Sequence, residues 1–417
     1  MSIINPFCAL RPTPGKVAEV ATHAVERYSK ERINQILANN PVSFLHVINP
    51  ESARWHATQN TTEHLHSIKN KLREFISKKI FIRDASPCFY IYRQIKNGRH
   101  HIGIIGLAST DDYNNNFIKI HEQTLAQREE KLKEYLDACE FNAEPVCLTY
   151  PHNKGINEIL LTKTKELPVY DYTTDEIRHS VWIIDKPGEV EQVQLLFKNV
   201  PYLYIADGHH RAASSARLAK MRREQNPAHT GNEPYNFFTA ALFADDELTI
   251  FSYNRMVQSL NGHSPESFLS ELGKKFNVSP LQEKAKEPAQ KKSLSLYLNK
   301  HWYNITLDAA GKHLNDPVKN LDVSMLSDHI LSPILGIEDL RHDKRIKFIP
   351  GIKSIIEIEQ IVDSEETAAA FCLFPVSFEE LISVAESGKE MPPKSTWIEP
   401  KLESGLLIYS LAGEKAF

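Results

Sequence analysis

The chain has 417 residues, of which 41% are hydrophobic and 24% charged, and its formal net charge is −4. This length predicts two or more packed units, and the acidic charge gives no reason to expect nucleic acid or a membrane surface as a partner. No stretch has the apolar length of a membrane span, and five scattered cysteines without a CxxC pair favour reduced thiols in a cytoplasmic protein.

The predicted elements alternate between strands and helices along the chain. The N-terminal half has a strand at 7–10, a helix at 29–38, a strand at 43–48, a helix at 63–79 and a hairpin of 89–92 with 101–107 around Asn97-Gly98. A charged helix at 118–138 and strands at 146–150, 181–184 and 200–206 follow. The C-terminal half has a strand pair at 240–243 and 248–253, a hairpin in 294–307, a helix at 323–331 and a strand at 368–374. This order predicts an α/β protein of the mixed α+β kind with two lobes, residues 1–265 and 266–417.

The most informative segment is the junction that follows the strand at 200–206. Asp207-Gly208-His209-His210-Arg211 leads from that strand into an alanine-rich helix. A helix N-terminus presents backbone N–H groups and a dipole that favours anions, and a glycine lets a ligand approach the backbone closely. Cationic side chains in the first turn interact unfavourably with the helix dipole, and a bound anion would offset that interaction. The junction therefore predicts an anion site, most simply for a phosphate chain.

The same junction has two other interpretations. Asp207 alone can serve as a helix cap, but capping does not account for two histidines and an arginine. Asp207, His209 and His210 can also be considered as metal ligands. Adjacent histidines seldom reach one ion together, and no HxxxH or HxH partner is nearby, so no dedicated metal site is predicted.

A second segment with anion-binding character lies near the C-terminus. Met391-Pro392-Pro393-Lys394-Ser395-Thr396-Trp397 combines a rigid turn with a cation and two hydroxyl groups. Lys394, Ser395 and Thr396, together with Arg11, are candidates for holding the carboxylate or phosphate of a substrate. The alternative interpretation is a charged surface loop.

Several of these motifs, in the same order, carry a resemblance to a known family. They are Pro6-Phe7 with 9–12, residues 40–47, Ile118-Lys119 with His121-Glu122 and Thr124, residues 204–211, 332–338 and 391–396. On these landmarks the chain resembles, essentially from end to end, the bacterial family catalogued as domain of unknown function 1015. The family name itself carries no activity.

The Asp-Gly-His-His-Arg core also resembles the phosphate-binding motif of the ParB/sulfiredoxin-like superfamily, particularly its free-serine kinases. This resemblance implies a ParB/sulfiredoxin-like phosphate-binding core with a C-terminal lobe closing over it. It implies that Gly208, His209, His210 and Arg211 hold nucleotide phosphates, with Asp207 near the metal or the substrate hydroxyl.

The resemblance also implies a general base near the N-terminus, where those kinases use an acidic residue. Relatives carry Pro-Tyr-Asp-Val between the first strand and first helix, and this chain has Ala24-Val25-Glu26-Arg27. Glu26 is therefore the candidate base, one methylene longer than the usual aspartate. Leu125 replaces the family's arginine one residue after Thr124. Both departures bear on which substrate is used.

The resulting hypothesis is a small-molecule kinase that uses ATP or ADP with Mg²⁺ and phosphorylates a small hydroxyl compound, with free L-serine as the first candidate. Glu26, Asp207 and His210 are its predicted catalytic residues. One alternative is a ParB-like regulatory switch that senses CTP or ATP. Another is a metal-dependent hydrolase that uses His209 and His210. The expected partners are a nucleotide and a small molecule, and the sequence leaves a homodimer open.

Overall fold

The computed structural model describes residues 2–48, 62–281, 287–307, 315–364 and 367–413, and it divides into two compact units. The first unit comprises Met1–Ile120, Thr124–Leu248 and Pro400–Phe417, and the second comprises His121–Gln123 and Thr249–Glu399. The change of unit after Leu248 lies upstream of the predicted division at residue 265. The C-terminal residues Pro400–Phe417 belong to the first unit, whereas the sequence predicts them in the second lobe.

The helices, in chain order, are α1 (Val17–Val20), α2 (Lys30–Asn39), α3 (Leu45–Ile48), α4 (Thr62–Ser77), α5 (Thr110–Asn114), α6 (Ala126–Cys139), α7 (Lys154–Lys163), α8 (Pro187–Lys198), α9 (His209–Gln225), α10 (Pro265–Gly273), α11 (Asp322–Leu326), α12 (Ile355–Ser364) and α13 (Phe378–Glu386). Short 3₁₀ turns lie at Val25–Arg27, Pro234–Asn236 and Asp245–Glu247, and a π-helical turn, Ser327–Leu331, continues α11. Among the described residues, no helix is both long enough and apolar enough to cross a membrane.

The strands, in chain order, are β1 (Ile4–Asn5), β2 (Leu10–Pro12), β3 (Thr22–His23), β4 (Phe81–Arg83), β5 (Phe89–Lys96), β6 (Arg99–Ser109), β7 (Ile118–Lys119), β8 (Phe141–Asn142), β9 (Val146–Tyr150), β10 (Tyr170–Thr174), β11 (Ile177–Ile184), β12 (Leu203–Asp207), β13 (Phe237–Ala244), β14 (Thr249–Val257), β15 (Phe276–Pro280), β16 (Ser293–Leu298), β17 (His301–Leu307), β18 (Ile346–Pro350), β19 (Ala369–Leu373), β20 (Thr396–Glu399), β21 (Glu403–Ser404) and β22 (Tyr409–Ser410). Together with the helices they confirm a mixed α+β fold.

The first unit is built on a mixed sheet of nine strands among the described residues. Its order is β10-β11-β5-β6-β13-β9-β12-β7, with β1 added beside β6. Most neighbours are antiparallel, but β13 with β9 and β12 with β7 are parallel. The predicted hairpin is confirmed, since β5 and β6 pair up to Lys96↔Arg99 and turn at Asn97 and Gly98, both with positive φ.

The second unit has its own sheet, of seven strands within the described ranges. Its order is β15-β17-β16-β19-β14-β18, with β20 paired to β14. The predicted hairpin in 294–307 is confirmed by β16 and β17, which pair antiparallel.

Four element predictions were wrong. The range 7–10 is not a strand, since it holds only an isolated bridge at Phe7 and the first residue of β2. Residues 43–48 contain helix α3 rather than a strand, because a short apolar run does not by itself distinguish a strand from a buried helical turn. The helix predicted from residue 118 begins at Ala126, because Ile118 and Lys119 pair with β12 instead. Strands β13 and β14 do not form the predicted pair, since they join different sheets.

Helix α9 packs closely on the first sheet because its inward face is made of small side chains. Ala212, Ala213, Ala216 and Ala219 are buried, and Ala212 belongs to the same core cluster as Leu203 and Ile205 of β12. The prediction that alanines bring this helix close to the sheet is confirmed. The position of β12 and α9 fixes the turn between them.

Candidate functional site

The turn between β12 and α9 depends on the backbone conformation of Gly208. This residue is the N-cap of α9 and has φ 98° and ψ 28°, the left-handed region in which residues with a Cβ are strained. The helix that follows is 17 residues long. Its first turn presents backbone N–H groups, because the first four N–H groups of an α-helix have no intrahelical acceptor.

The side chain of Arg211 folds back over Gly208. A Cβ at position 208 would lie 2.9 Å from Arg211 Nε and 3.0 Å from its Nη2. Arg211 is held there because its Nη1 donates to the carbonyl oxygen of Pro145 at 2.6 Å and its Nη2 to Asp207 Oδ2 at 2.8 Å. The guanidinium group is thereby fixed beside the helix N-terminus.

Asp207 lies between two cations. Arg211 contacts its Oδ2, and Lys401 Nζ donates to its Oδ1 at 3.1 Å. Partial burial by itself would raise the pKa of Asp207, but Lys401 and Arg211, with a smaller part from His209, outweigh it and lower the pKa to about 2. Gly208 is the N-cap and no side chain caps the helix, so Asp207 is not the cap.

We expect Asp207→Asn to lower the free energy of unfolding at neutral pH, because Lys401 and Arg211 then lose their counter-ion. The folded-state pKa of about 2 lies below the ordinary 3.8, so the ionised carboxylate stabilises the fold above 3.8 and the contribution is lost as pH falls toward 2. Denaturant titrations of both proteins at a series of pH values should show the difference shrinking below about pH 4. A difference that stays constant as the pH falls would contradict this assignment.

A cleft in the first unit brings Arg211 and Glu26 together. It is lined by Val25, Glu26, Ile48, Leu132, Tyr135, Leu136, Asn142, Ala143, Glu144 and Arg211. Glu26 lies in the 3₁₀ turn Val25–Arg27, its side chain is 55% exposed, and Arg128 Nη2 is 3.8 Å from its Oε1. At this exposure and distance the ion pair contributes little, so the carboxylate stays available to a ligand.

Glu144 is a second carboxylate in this cleft. Its Oε1 accepts a hydrogen bond from Ser404 Oγ at 2.8 Å. Burial raises the pKa of Glu144, and the nearby carboxylates of Glu26 and Asp207 raise it further, whereas Arg211 and Ser404 oppose the rise. The cleft therefore combines a guanidinium group with two acids that influence each other.

The two histidines of the turn have different surroundings. His210 Nε2 accepts a hydrogen bond from the backbone N–H of Leu125, the N-cap of α6, at 3.1 Å. This contact places the proton of a neutral ring on Nδ1. His209 is buried at 5% exposure. The phosphate-binding roles of both histidines, and the catalytic role of His210, stay predictions.

Arg11 lies in a set of polar contacts on strand β2. Its Nε and Nη2 contact Asp84, each at 2.9 Å, and its Nη1 donates to Tyr170 Oη at 2.9 Å. Burial opposes the charged form, but Asp84 and Tyr170 outweigh it and raise the pKa of Arg11. Each guanidinium nitrogen already has a protein partner, and substrate binding by Arg11 stays a prediction.

Lys394, Ser395 and Thr396 belong to the second unit. Lys394 has φ 58°, and its Nζ lies 5.4 Å from the centre of the Tyr253 ring, a cation–π contact. Ser395 Oγ donates to the carbonyl oxygen of Pro392 at 2.6 Å, and Thr396 begins β20 opposite Ser252. The substrate-binding role of the three residues stays a prediction.

Sequence reasoning missed Lys401 and Glu144. Lys401 follows Pro400 in the segment that returns to the first unit, 194 residues from Asp207 in sequence. Glu144 precedes Pro145 and strand β9. No local pattern marks either residue, although Lys401 lies close after the predicted segment 391–397.

In the described part of the chain, no group of three or more His, Cys, Asp or Glu residues is arranged to hold a metal ion. A metal held by protein ligands alone therefore does not fit the turn. Mg²⁺ bound mainly by nucleotide phosphates and water requires only one or two carboxylates, and Glu144 lines the cleft.

Comparison with known proteins gives one family and several distant structures. The model of the family described as "Protein of unknown function (DUF1015)" matches residues 4–324. No curated protein matches the chain.

Three solved structures illustrate the distant similarity. A free serine kinase in complex with AMP is 14% identical and has a TM-score of 0.34, covering 71% of this chain and 87% of that one. SbnI with a C-terminal truncation from Staphylococcus aureus is 12% identical, with a TM-score of 0.38 and coverage of 74% and 88%. A conserved hypothetical protein from Pyrococcus furiosus is 12% identical, with a TM-score of 0.34 and coverage of 73% and 94%. Similarity at this level does not establish a common activity.

Proposed function

The chain belongs to the DUF1015 family, and we propose that it is a phosphotransferase that moves a phosphoryl group from a nucleotide to a hydroxyl group of a small molecule. One observation carries the proposal. Arg211, held over Gly208 at the N-terminus of α9, lines the same cleft as Glu26. A phosphate-binding group and a candidate base thus share one cavity.

The turn supplies what a phosphate chain needs. Backbone N–H groups at the start of α9 and the helix dipole favour an anion, and the missing side chain at Gly208 lets it approach. Arg211 and Lys401 add two positive charges on either side of Asp207. Phosphoryl transfer depends mainly on positioning and charge neutralisation, and these groups provide both.

Glu26 would accept the proton of the attacking hydroxyl group. The hydroxyl oxygen forms a bond to the terminal phosphorus, the bond from that phosphorus to the nucleotide's bridging oxygen breaks, and the shortened nucleotide leaves with the electron pair. Asp207 would position Arg211 and Lys401. Glu144 would hold Mg²⁺ with the nucleotide, and the ion would neutralise charge on the phosphates. Free L-serine is the first acceptor to test, because the motif of residues 207–211 resembles that of free-serine kinases.

The test is to incubate the purified chain with Mg²⁺, either ATP or ADP, and L-serine, and to measure phosphoserine and the shortened nucleotide together. Equal amounts of both products are expected, with none when nucleotide or acceptor is omitted. A panel of other small hydroxyl compounds extends the assay if serine is not the acceptor.

Three outcomes would contradict the proposal. Slow nucleotide hydrolysis with a large ligand-induced change in shape would support a regulatory switch. Hydrolytic activity that follows a tightly bound transition metal would support a hydrolase. Absence of nucleotide binding altogether would remove the phosphate site itself.

A further inference from the structure

A buried chain of polar side chains begins at the backbone of Lys401. Gln94 Nε2 lies 2.7 Å from the carbonyl oxygen of Lys401 and 2.8 Å from Tyr92 Oη. Because a carbonyl oxygen can only accept, the side-chain atom of Gln94 that faces it must be the amide nitrogen. The second hydrogen of that nitrogen is then donated to Tyr92 Oη.

This single carbonyl group sets the direction of the rest of the chain. Tyr92 Oη accepts from Gln94, so its own hydrogen is donated to His179 Nδ1, 2.7 Å away. A neutral His179 whose Nδ1 accepts carries its proton on Nε2. That nitrogen faces Glu403 Oε1 at 3.6 Å, which is too long for a hydrogen bond, so this last link is an electrostatic contact.

Every contact of Glu403 in this network is with a donor. Tyr172 Oη donates to Oε2, and Thr174 Oγ1 lies 3.4 Å from Oε1. Gln94, Tyr92 and His179 are 1%, 1% and 0% exposed, and the Glu403 side chain is 1% exposed. Polar and charged groups at this depth interact strongly, so the direction of the network matters. The arrangement suits an ionised Glu403.

We propose that Lys401 is a positioning residue of the phosphate site, and that the chain from Gln94 through Tyr92 and His179 to an ionised Glu403 holds its backbone in place. The proposal rests on the proposed function, since Lys401 acts through Asp207. Lys401 and Glu403 are two residues apart, so the chain fixes both ends of this short segment against strands β5 and β11.

Protonation of Glu403 disturbs this arrangement. If protonated Glu403 donates to His179 Nε2, the neutral ring must carry its own proton on Nδ1. That ring proton then points at the Tyr92 oxygen, which already accepts a hydrogen bond from Gln94. The Tyr92 hydroxyl group then loses its acceptor, and it regains one within the chain only if Gln94 turns its oxygen inward, toward the Lys401 carbonyl oxygen. Protonation of Glu403 therefore weakens the hydrogen bond from Gln94 to the carbonyl oxygen of Lys401.

Glu403 is the member of the chain that titrates near neutrality. Burial raises the pKa of Glu403 to about 7, and Asp175 adds to the rise, whereas Tyr172, Thr174 and Arg27 oppose it. Burial, with His23, lowers the pKa of His179 to about 3, so the imidazole stays neutral. The titratable and charged groups around Glu403 are Tyr92, Tyr172, Asp175, His179, His23 and Arg27. Glu403 ionises as pH rises through about 7, so nucleotide affinity should fall as pH falls through that value.

The test measures the dissociation constants of ADP and ATP by calorimetry from about pH 6 to about pH 8 in the intact protein. The wild type should lose roughly three- to tenfold in affinity on acidification, the effect of one hydrogen bond. Glu403→Gln and Gln94→Met break the chain at opposite ends and should bind more weakly at the upper pH, without the wild-type inflection. The nucleotide phosphate also titrates, with a pKa of about 6. The informative quantity is therefore the difference in the pH dependence of the dissociation constant between each variant and the wild type.

Two matched controls lie in the second unit. Asp322→Asn removes another buried carboxyl group, whose pKa burial raises to about 6, and Tyr297→Phe removes another hydrogen-bonded tyrosine hydroxyl, which donates to Asp363. Both should retain the wild-type pH dependence. If Glu403→Gln destabilises the fold in thermal melts, Tyr92→Phe is the substitute. It removes only the hydroxyl group that links Gln94 to His179, and it should abolish the same inflection.

The outcomes separate this inference from the proposed function. Nucleotide binding whose pH dependence is the same in wild type, Glu403→Gln and Gln94→Met would overturn the role of the chain and leave the phosphate site intact. Absence of nucleotide binding in the wild type would overturn the proposed function, and this inference with it.

Discussion

Glu26→Gln is expected to lower the rate of phosphoryl transfer by about 10²- to 10⁴-fold, the usual contribution of a general base. Glutamine preserves the size of the side chain but cannot accept the proton of the attacking hydroxyl group. Glu26 is 55% exposed and its ion pair with Arg128 is long, so the substitution should leave folding unchanged. Nucleotide affinity should also change little, because the proposed phosphate-binding groups are Arg211, Lys401 and the helix N-terminus.

The measurement is a single-turnover assay of product formation beside a separate nucleotide titration. Glu31→Gln, on the exposed side of α2, is the matched control and should retain full activity. A Glu26→Gln protein that still turns over at the wild-type rate would remove Glu26 from the mechanism. A protein that has lost nucleotide binding as well would indicate that Glu26 shapes the cleft rather than acting as a base.

Gly208→Ala is expected to weaken nucleotide binding by roughly ten- to hundredfold, the cost of losing one charge-assisted hydrogen bond. The new Cβ would lie 2.9 Å from Arg211 Nε, so the guanidinium group must shift from its present position beside the helix N-terminus. The substitution also places alanine at φ 98°, which should cost about 1–2 kcal/mol of stability.

Gly231→Ala separates these two effects. Gly231 has φ 96°, close to the value at Gly208, but a Cβ there would meet no atom within 4 Å. Both variants should therefore lose a similar amount of stability in denaturant titrations, while only Gly208→Ala should lose nucleotide affinity. Equal nucleotide affinity in the two variants would show that the position of Arg211 is unimportant for binding.

Local features of the fold followed closely from the sequence. The strand, glycine turn and alanine-rich helix around Gly208 were predicted and are confirmed, because turn chemistry and small-residue packing depend on neighbouring residues. The hairpin at Asn97-Gly98 is confirmed for the same reason. Strand β14 was located correctly but assigned the wrong partner, because pairing depends on residues far away in the chain.

The candidate site was likewise predicted from local sequence only in part. The sequence indicated a phosphate turn at 207–211, and the resemblance to free-serine kinases pointed to Glu26. Sequence alone did not reveal that Arg211 would line a cleft with Glu26 and Glu144. The start of helix α6 was not predicted correctly either. Residues 118–119 pair with β12, and the helix begins at Ala126.

The sequence by itself determined the conformation at Gly208 and the cations that accompany it, because these follow from the chemistry of five consecutive residues. Only the tertiary structure decided which charges surround Asp207. Lys401 reaches it across 194 residues, and Gln94, Tyr92, His179 and Glu403 come together from strands that share no sequence pattern. The physical reason is that hydrogen bonds and charge interactions act over a few ångströms, so these contacts exist only after the sheet has brought distant segments together.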